Sequence, residues 1–215
     1  MRIRKRWIQG LAAVLLGVLL AFDVVLGLAI HRRNRALAFL ADFTRLKLGV
    51  SSFADAQRLA QDYGGKPRAD PGTEAQGSAQ NCSLRFVFKN NPVNLLPGVR
   101  DVEFVAGLTV KDGYVVSQEL DYSFWAAGWD SQFVYLMNDR LRPAGAPDYD
   151  VKGLKLDAQG IPHVLVVSLG PLATEDQRKR AYSLDLACLA KLRGCNGPSN
   201  IFPPGLRVEP GPERR

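Results

Sequence analysis

Apolar and polar residues follow several patterns along the chain, and the first is a continuous apolar run. Residues 7–30 are apolar except for Gln9 and Asp23. A helix rises about 1.5 Å per residue, so about 20 apolar residues cross the hydrocarbon core of a bilayer. The run therefore predicts a transmembrane helix, with residues 1–6 as a basic flank before it.

This run has two interpretations, a retained anchor and a cleaved signal peptide. A signal peptide has an apolar stretch of about 7–15 residues, so the greater length here favours an anchor, although residues 27–29 leave cleavage open. Four basic residues precede the run and three follow it closely. Because Lys and Arg favour the cytoplasmic side, the balance predicts a cytoplasmic N-terminus at the inner (cell) membrane and an outer domain. Inverted topology is the alternative.

Asp23 lies within the apolar run, where a carboxylate is unfavourable and is a functional candidate. We favour a side chain that is protonated or that reaches water near the basic flank. The alternative is association with a helix of another membrane protein. The bilayer is the first predicted partner, through residues 7–30.

A helical pattern follows the apolar run. Residues 31–50 form a juxtamembrane segment that either extends the first helix or enters the domain as a strand near residues 43–48. Ser52 and Asp55 then approximate a capping box. Apolar residues at helical spacing predict a helix over residues 52–63.

From Cys82 onward, apolar residues alternate with polar ones, which is typical of half-buried strands. Lys111-Asp112-Gly113 is a hairpin signal, and its return strand is expected to place Tyr114, Val116 and Leu120 on one face. Residues 174–187 favour a strand over a helix, and a short helix follows at about 187–193. The strands predicted before these are residues 82–89, 102–110, 114–124, 133–137, 149–156 and 163–169.

These elements predict an α+β fold, in which a transmembrane helix precedes an extracytoplasmic domain over residues 51–195. The domain is a predominantly antiparallel sheet of about six or seven strands with one packed helix and a short C-terminal helix. Nothing indicates alternating βαβ units, which disfavours a parallel nucleotide-binding sheet. Residues 196–215 hold five prolines and are expected to form an extended tail.

Composition narrows the classes of site. The 215 residues include two histidines and three cysteines, which excludes a four-cysteine zinc site and disfavours a dense disulfide scaffold. The net charge is +7, but residues 1–30 contribute +3 of it and residues 31–215 the other +4. Since the first part serves orientation, and Arg178–Arg180 lacks a recognised module around it, we expect no nucleic-acid partner. No metal or cofactor is predicted.

Two cysteines bound the end of the domain. In one continuous helix Cys188 and Cys195 would lie about 10.5 Å apart along the axis, whereas a disulfide needs Cα atoms within about 7 Å. Their pairing therefore requires the helix to end, which Gly194 permits. In an oxidising compartment we favour this pair, with Cys82 as a rival partner for either. Three buried free thiols are the alternative, which inverted topology would favour.

The segment from Arg180 through Cys188 to Gly194-Cys195, together with residues 52–56, carries a resemblance. It is similar to a motif of uncharacterised bacterial single-pass membrane proteins of an acidobacterial type. They share an N-terminal apolar segment, a Ser-Phe-x-x-Ala helix and a C-terminal Cys-Leu-x-x-x-x-Gly-Cys motif. The resemblance implies a location and an architecture, and it supplies no activity.

Few residues suggest chemistry. Glu119 and Asp121 share one strand face as a candidate carboxylate pair, although a solvated face is the favoured interpretation. His163 is expected to be structural, and no recognised nucleophile motif accompanies it. Trp125 and Trp129 can form a stacking platform for a sugar, peptide or lipid, or can cap the edge of the core.

The prediction that results is a non-enzymatic, membrane-anchored extracytoplasmic module for binding or envelope assembly. Its expected partner is a protein in the membrane or envelope, and no small-molecule ligand is identified. A pilin-like or secretion-system subunit is the first alternative, against which no prepilin processing site is present. An enzyme with a carboxylate site at Glu119 and Asp121 is the second.

Overall fold

The computed structural model describes residues 2–68, 81–90, 101–125, 132–141, 148–157, 160–191, 195 and 197–206. Helix α1, Arg2–Phe43, has 42 residues and is therefore about 63 Å long. Among the described residues it is the one helix long and apolar enough to cross a membrane. Its large apolar side chains between Leu11 and Ile30 are mostly exposed. The length and the apolar surface of α1 together fit a single-pass membrane anchor.

The C-terminal part of α1 belongs to the folded domain. Ala36, Phe39, Leu40 and Phe43 recur at helical spacing and are buried. The ring of Phe39 lies 4.7 Å from that of Phe86, which is on the sheet. The helical alternative for the juxtamembrane segment is therefore confirmed, and no strand forms over residues 43–48.

Helix α2, Phe53–Tyr63, has the predicted capping box: the side chain of Ser52 accepts from the Asp55 N–H, and the Asp55 carboxylate accepts from the Ser52 N–H at 2.9 Å. Gly64 ends the helix in the left-handed region at φ 76°, where glycine is unstrained. Its N–H donates to the Ala60 carbonyl. Short-range signals thus determine both ends of α2.

Seven strands form one sheet in the order β1-β2-β3-β4-β5-β7-β6. Neighbouring strands are antiparallel except for β5 and β7, which are parallel. This arrangement confirms the α+β fold, a long apolar helix followed by a mostly antiparallel sheet. The strands are β1 Lys66–Pro67, β2 Cys82–Lys89, β3 Val102–Lys111, β4 Tyr114–Trp125, β5 Gln132–Arg140, β6 Tyr149–Leu156 and β7 Pro162–Leu169.

A β-bulge changes which residues of β4 face the core. The register between β3 and β4 shifts between Thr109 and Val110, which leaves Val116 as the extra residue. The expectation that Val116 shares a face with Leu120 is therefore wrong, and Val115 is buried instead. A one-residue shift of this kind is invisible to a count of alternating positions.

Residues 174–187 also differ from the prediction. They contain helix α3, Glu175–Tyr182, whose N-terminus has a capping box between Thr174 and Gln177. A 3-10 helix, Leu186–Leu189, overlaps the first residues of the short C-terminal helix predicted at about 187–193. The capping box explains the helix, which ends at Tyr182, and the apolar alternation from Tyr182 onward forms no strand.

The core lies on one face of the sheet, beneath α1, α2, the 3-10 helix and the described part of the C-terminal tail. Ile201 is buried, and the ring of Phe202 lies 6.5 Å from that of Phe133. The core thus extends beyond residues 51–195 at both ends. Large side chains that are fully buried include Phe39, Phe43, Phe86, Phe104, Tyr122, Phe124, Phe133 and Tyr135.

Candidate functional site

A groove of about 970 Å³ lies between the end of α1, the loop of residues 44–50 and α3. We call it the α1–α3 groove. Its size falls at the upper end of the range of about 300–1,000 Å³ that small-molecule sites occupy. Its apolar lining comprises Leu37, Leu40, Ala41, Leu46, Leu48, Val50, Leu141, Pro171 and Ala173.

Apolar side chains remain exposed around this groove. The exposed fraction is 68% for Val50 and 47% for Leu141, both of which line it. Leu172, between the lining residues Pro171 and Ala173, is 79% exposed. Clustered exposed apolar residues of this kind mark binding surfaces more often than scattered ones do.

The floor of the groove carries a buried ion pair. Asp139, 2% exposed, accepts from the Arg178 guanidinium through Oδ2. Arg178 also donates to the Gly170 carbonyl at 2.6 Å. Burial raises the pKa of Asp139, and Arg178 opposes that change. The other carboxylate oxygen, Oδ1, has no hydrogen-bond partner among the described residues.

Gln118 connects the two walls of the groove. Its Nε2 donates to the Phe43 carbonyl at 2.8 Å and to the Leu46 carbonyl at 3.3 Å, where α1 ends. Its Oε1 accepts from the Tyr182 hydroxyl at 2.7 Å, at the end of α3. Burial raises the pKa of Tyr182 well above its usual range, so the hydroxyl remains a donor. Gln118 therefore links the end of α1 to α3 around the groove.

Backbone bonds hold the loop that forms the outer wall. The Gly49 N–H donates to the Val115 carbonyl at 2.7 Å, and the Val115 N–H donates to the Ser51 carbonyl at 2.9 Å. Gly49 has φ 73°, a conformation that favours glycine. This loop presents Val50 at the mouth of the groove.

The rim of the groove carries an excess of positive charge. Lys47 and Lys179 line it, are exposed, and make no ion pair with any residue that the structure describes. Glu175 also lines the groove. Since Arg178 and Asp139 neutralise each other, the rim carries two lysines against one glutamate. Apolar walls with lysines at the mouth are suited to binding a ligand that has an apolar part and a negative charge.

The predicted carboxylate pair lies elsewhere, on the opposite, more polar face of the sheet. Glu119 and Asp121 both line a second cavity of about 440 Å³. Glu119 forms ion pairs with Arg140 and, at 3.5 Å, with Arg68. Burial is the main cause that raises the pKa of Asp121, whose Oδ1 lacks a partner among the described residues. The structure therefore gives the two carboxylates different surroundings.

Other candidate groups occupy structural positions. The ring of His163 lies 4.9 Å from that of Phe133 at the edge of the core, and its Nε2 has no hydrogen-bond partner among the described residues. His31 is an exposed residue of α1. Within the part of the chain that the structure describes, no group of three or more His, Cys, Asp or Glu residues could hold a metal ion.

Cys188 and Cys195 form a disulfide with their Cα atoms 5.7 Å apart. The pairing agrees with the prediction, since the 3-10 helix ends at Leu189 and allows the chain to return. Cys82 is a free thiol, whose pKa is raised by burial. The disulfide closes the C-terminal segment against the core.

The predicted stacking platform stays a prediction. Trp125 is the last residue of β4, and its side chain lies outside what the structure describes. Trp129 falls outside the described residues altogether. Gly194, which the sequence predicts to permit the disulfide, also lies outside the described residues.

Nothing in the sequence pattern singles out the groove. Its floor residues Gln118 and Asp139 occupy core-facing positions, which a polar residue takes only with partners. Alternation with Leu120 and Tyr122 places Gln118 on the core face, but it does not show which groups Gln118 meets there. Arg178 stands in a short basic cluster that resembles a solvated turn. No protein-family model, curated protein or solved structure matches the chain.

Proposed function

We propose that the chain is a membrane-anchored binding module that holds the α1–α3 groove on the extracytoplasmic side of the inner membrane. One observation carries the proposal: the helix that has the length and composition of a membrane span also supplies a wall of the groove. Leu37, Leu40 and Ala41 line the groove from α1, with no break in the helix after Ile30.

The continuity of α1 fixes the distance between groove and bilayer. Leu37 and Thr44, which line the groove, follow Ile30 by 7 and 14 residues. At about 1.5 Å per residue, the groove spans about 10–21 Å beyond the end of the apolar run. The headgroup layer adds about 5–8 Å to each side of the hydrocarbon core, so the groove opens just above it.

Two features favour the extracytoplasmic side. The basic residues before the apolar run outnumber those directly after it, which favours a cytoplasmic N-terminus. The disulfide between Cys188 and Cys195 suits an oxidising compartment, because cytoplasmic thiols are kept reduced. No catalytic step is part of this proposal.

An envelope-assembly subunit of pilin-like type is the second candidate. The observation that favours it is again α1, whose first half exposes apolar side chains and whose last turns pack on an antiparallel sheet. In such a subunit the exposed half would contact other subunits, and Asp23 would lie in that contact. A binding module differs in that its partner occupies the groove.

Site-specific photo-crosslinking in intact cells tests the proposal. A photoreactive residue replaces Val50 at the groove or, as a matched control, the exposed Val87 on the opposite face of the sheet. A discrete adduct at Val50 that Ala41→Trp abolishes is expected, since the indole fills the groove. Adducts from residues 11–28 of α1 alone would favour the assembly subunit. Alkaline phosphatase fused after Arg215 checks the topology, and inactivity of a well-expressed fusion would contradict it.

A further inference from the structure

We propose that the occupant of the α1–α3 groove is a long-chain fatty acid, with its acyl chain against the apolar walls and its carboxylate at Lys47 and Lys179. The inference rests on the proposed function, because it takes the groove as the binding site. It adds the chemistry of the ligand, which neither the sequence nor the fold class supplies.

The walls of the groove select an apolar chain. They are formed by aliphatic side chains from three separate elements, α1, the loop of residues 44–50 and the turn before α3. Val50 and Leu141 are exposed at the surface of the protein. An acyl chain removes this surface from water together with its own, and each buried methylene strengthens binding about fourfold.

The charges around the groove select an anionic head and orient it. Lys47 and Lys179 lack ion-pair partners among the described residues, and Arg178 is already held by Asp139. The ion pair of Asp139 and Arg178 on the floor is neutral overall, so a carboxylate that entered first would lose its water there without gaining a free cation. The head therefore stays at the rim, near the two lysines.

A compact head fits this rim better than a large one. Glu175 shares the rim with the lysines, so an extended anionic headgroup would approach a like charge. The groove also begins about 10 Å beyond the end of the apolar run, whereas a diacyl lipid keeps its chains within the hydrocarbon core. A single-chain acid that leaves the bilayer can reach the groove without that constraint.

The test uses the full chain in phosphatidylcholine nanodiscs and a palmitate analogue with a photoreactive chain end. We expect labelled peptides from residues 37–50 and 171–183. Palmitate should displace the probe about tenfold better than hexadecanol, which has the same chain length without the charge. Shortening the acid by two methylenes should weaken competition about fifteenfold.

Three variants separate groove binding from partition into the bilayer. Ala41→Trp, at an exposed position of α1, should abolish labelling by filling the groove. The double variant Lys47→Glu/Lys179→Glu should reduce labelling about tenfold and leave competition by hexadecanol unchanged. Lys66→Glu, on β1 at the far edge of the sheet, is the charge control and should label like the wild type. Because Lys47 and Lys179 are exposed, the double variant tests the inference even if Ala41→Trp destabilises the fold.

Several results would overturn the inference. Equal labelling of the wild type and the double lysine variant would exclude recognition of the head by these lysines. Stronger competition by lysophosphatidylglycerol than by palmitate would exclude a fatty acid as the favoured occupant. If the photoreactive residue at Val50 captures a protein while the palmitate probe labels nothing, the ligand class is wrong and the binding module stands. If neither reagent reacts at the groove, both fail.

Discussion

Gln118 and Asp139 face each other across β4 and β5, on the side of the sheet that apolar residues otherwise fill. Each is 2% exposed and lines the α1–α3 groove. Gln118 reaches the carbonyls at the end of α1, and Asp139 holds Arg178 of α3. The shape of the groove therefore depends on two buried polar side chains within the core.

Replacing Gln118 should destabilise the domain. In Gln118→Leu, the Leu46 carbonyl and the Tyr182 hydroxyl lose the bonds that they make with Gln118, whereas the Phe43 carbonyl keeps its bond from the Leu46 N–H. Each unsatisfied buried group costs about 1–3 kcal/mol. We expect a loss of about 2–4 kcal/mol, measured by urea unfolding of the full chain in nanodiscs. Gln61→Leu, at an exposed position of α2, is the matched control. Equal effects of the two substitutions would contradict the role of Gln118.

The ion pair on the groove floor should behave as a unit. Asp139→Ala leaves the Arg178 guanidinium without its buried partner, and such a change costs about 3–5 kcal/mol. The double variant Asp139→Leu/Arg178→Met should recover much of this loss, because a buried ion pair can be replaced by apolar residues of similar volume. A double-mutant cycle of unfolding free energies measures the coupling.

The exposed pair of Asp150 and Lys152, 2.7 Å apart, is the control for that cycle. Its disruption by Asp150→Ala should change the unfolding free energy by at most about 1 kcal/mol, because solvent screens the interaction. If Asp139→Ala changed the unfolding free energy as little as Asp150→Ala does, Asp139 would not form a buried ion pair.

Local sequence signals predicted much of the fold. The alternation from Cys82 onward places the strands, since one face of the sheet is buried, and the capping box at Ser52 places α2. The two local errors have a physical cause in each case. The bulge at Val116 inserts one residue, and the capping box at Thr174 begins a helix within the segment predicted as a strand.

The groove was beyond such signals because it depends on contacts between distant segments. The Gln118 side chain meets carbonyls that are 72–75 positions earlier in the chain, and Asp139 meets Arg178 39 positions later. Neither contact leaves a local periodicity. The candidate residues that the sequence did offer, Glu119 and Asp121, lie on the opposite face.

The pH dependence of Asp121 has a definite sign. Burial raises its pKa in the folded state, so the folded chain binds its proton more tightly than the unfolded chain does. Stability is therefore lost as the pH rises from the usual Asp pKa, about 3.9, through the raised value. Asp121→Asn removes this loss and should unfold at higher denaturant concentration than the wild type at about pH 7.

The difference between Asp121→Asn and the wild type should shrink as the pH falls below about 4, where both chains carry a neutral group. The urea midpoint as a function of pH measures it. The neighbour Glu103 also raises the pKa of Asp121, so Glu103→Gln should narrow the difference. If the difference in urea midpoint did not depend on pH, it would instead come from a change of packing on the more polar face of the sheet.

The disulfide should contribute measurably to stability. Cys188→Ser/Cys195→Ser removes a crosslink that closes a short loop, for which the chain-entropy estimate is about 2–3 kcal/mol. Thermal unfolding with and without reductant measures this, and Cys82→Ser controls for loss of a thiol. Peptide mapping without reductant should find the pair linked in protein isolated from the envelope. Unmodified Cys188 and Cys195 would contradict an oxidising location.

The last prediction concerns the rigid link between span and groove. Asn34 is an exposed residue of α1 between Ile30 and Leu37, so Asn34→Pro interrupts the helix outside the core. Packing of Phe39 and Phe43 should keep the domain folded, while the distance from span to groove becomes variable. Spin labels at residues 30 and 50 should give a narrow distance distribution in Asn34→Ala and a broad one in Asn34→Pro. An equally narrow distribution in both would show that contacts other than α1 hold the domain above the bilayer, which removes the basis for placing the groove by helix length.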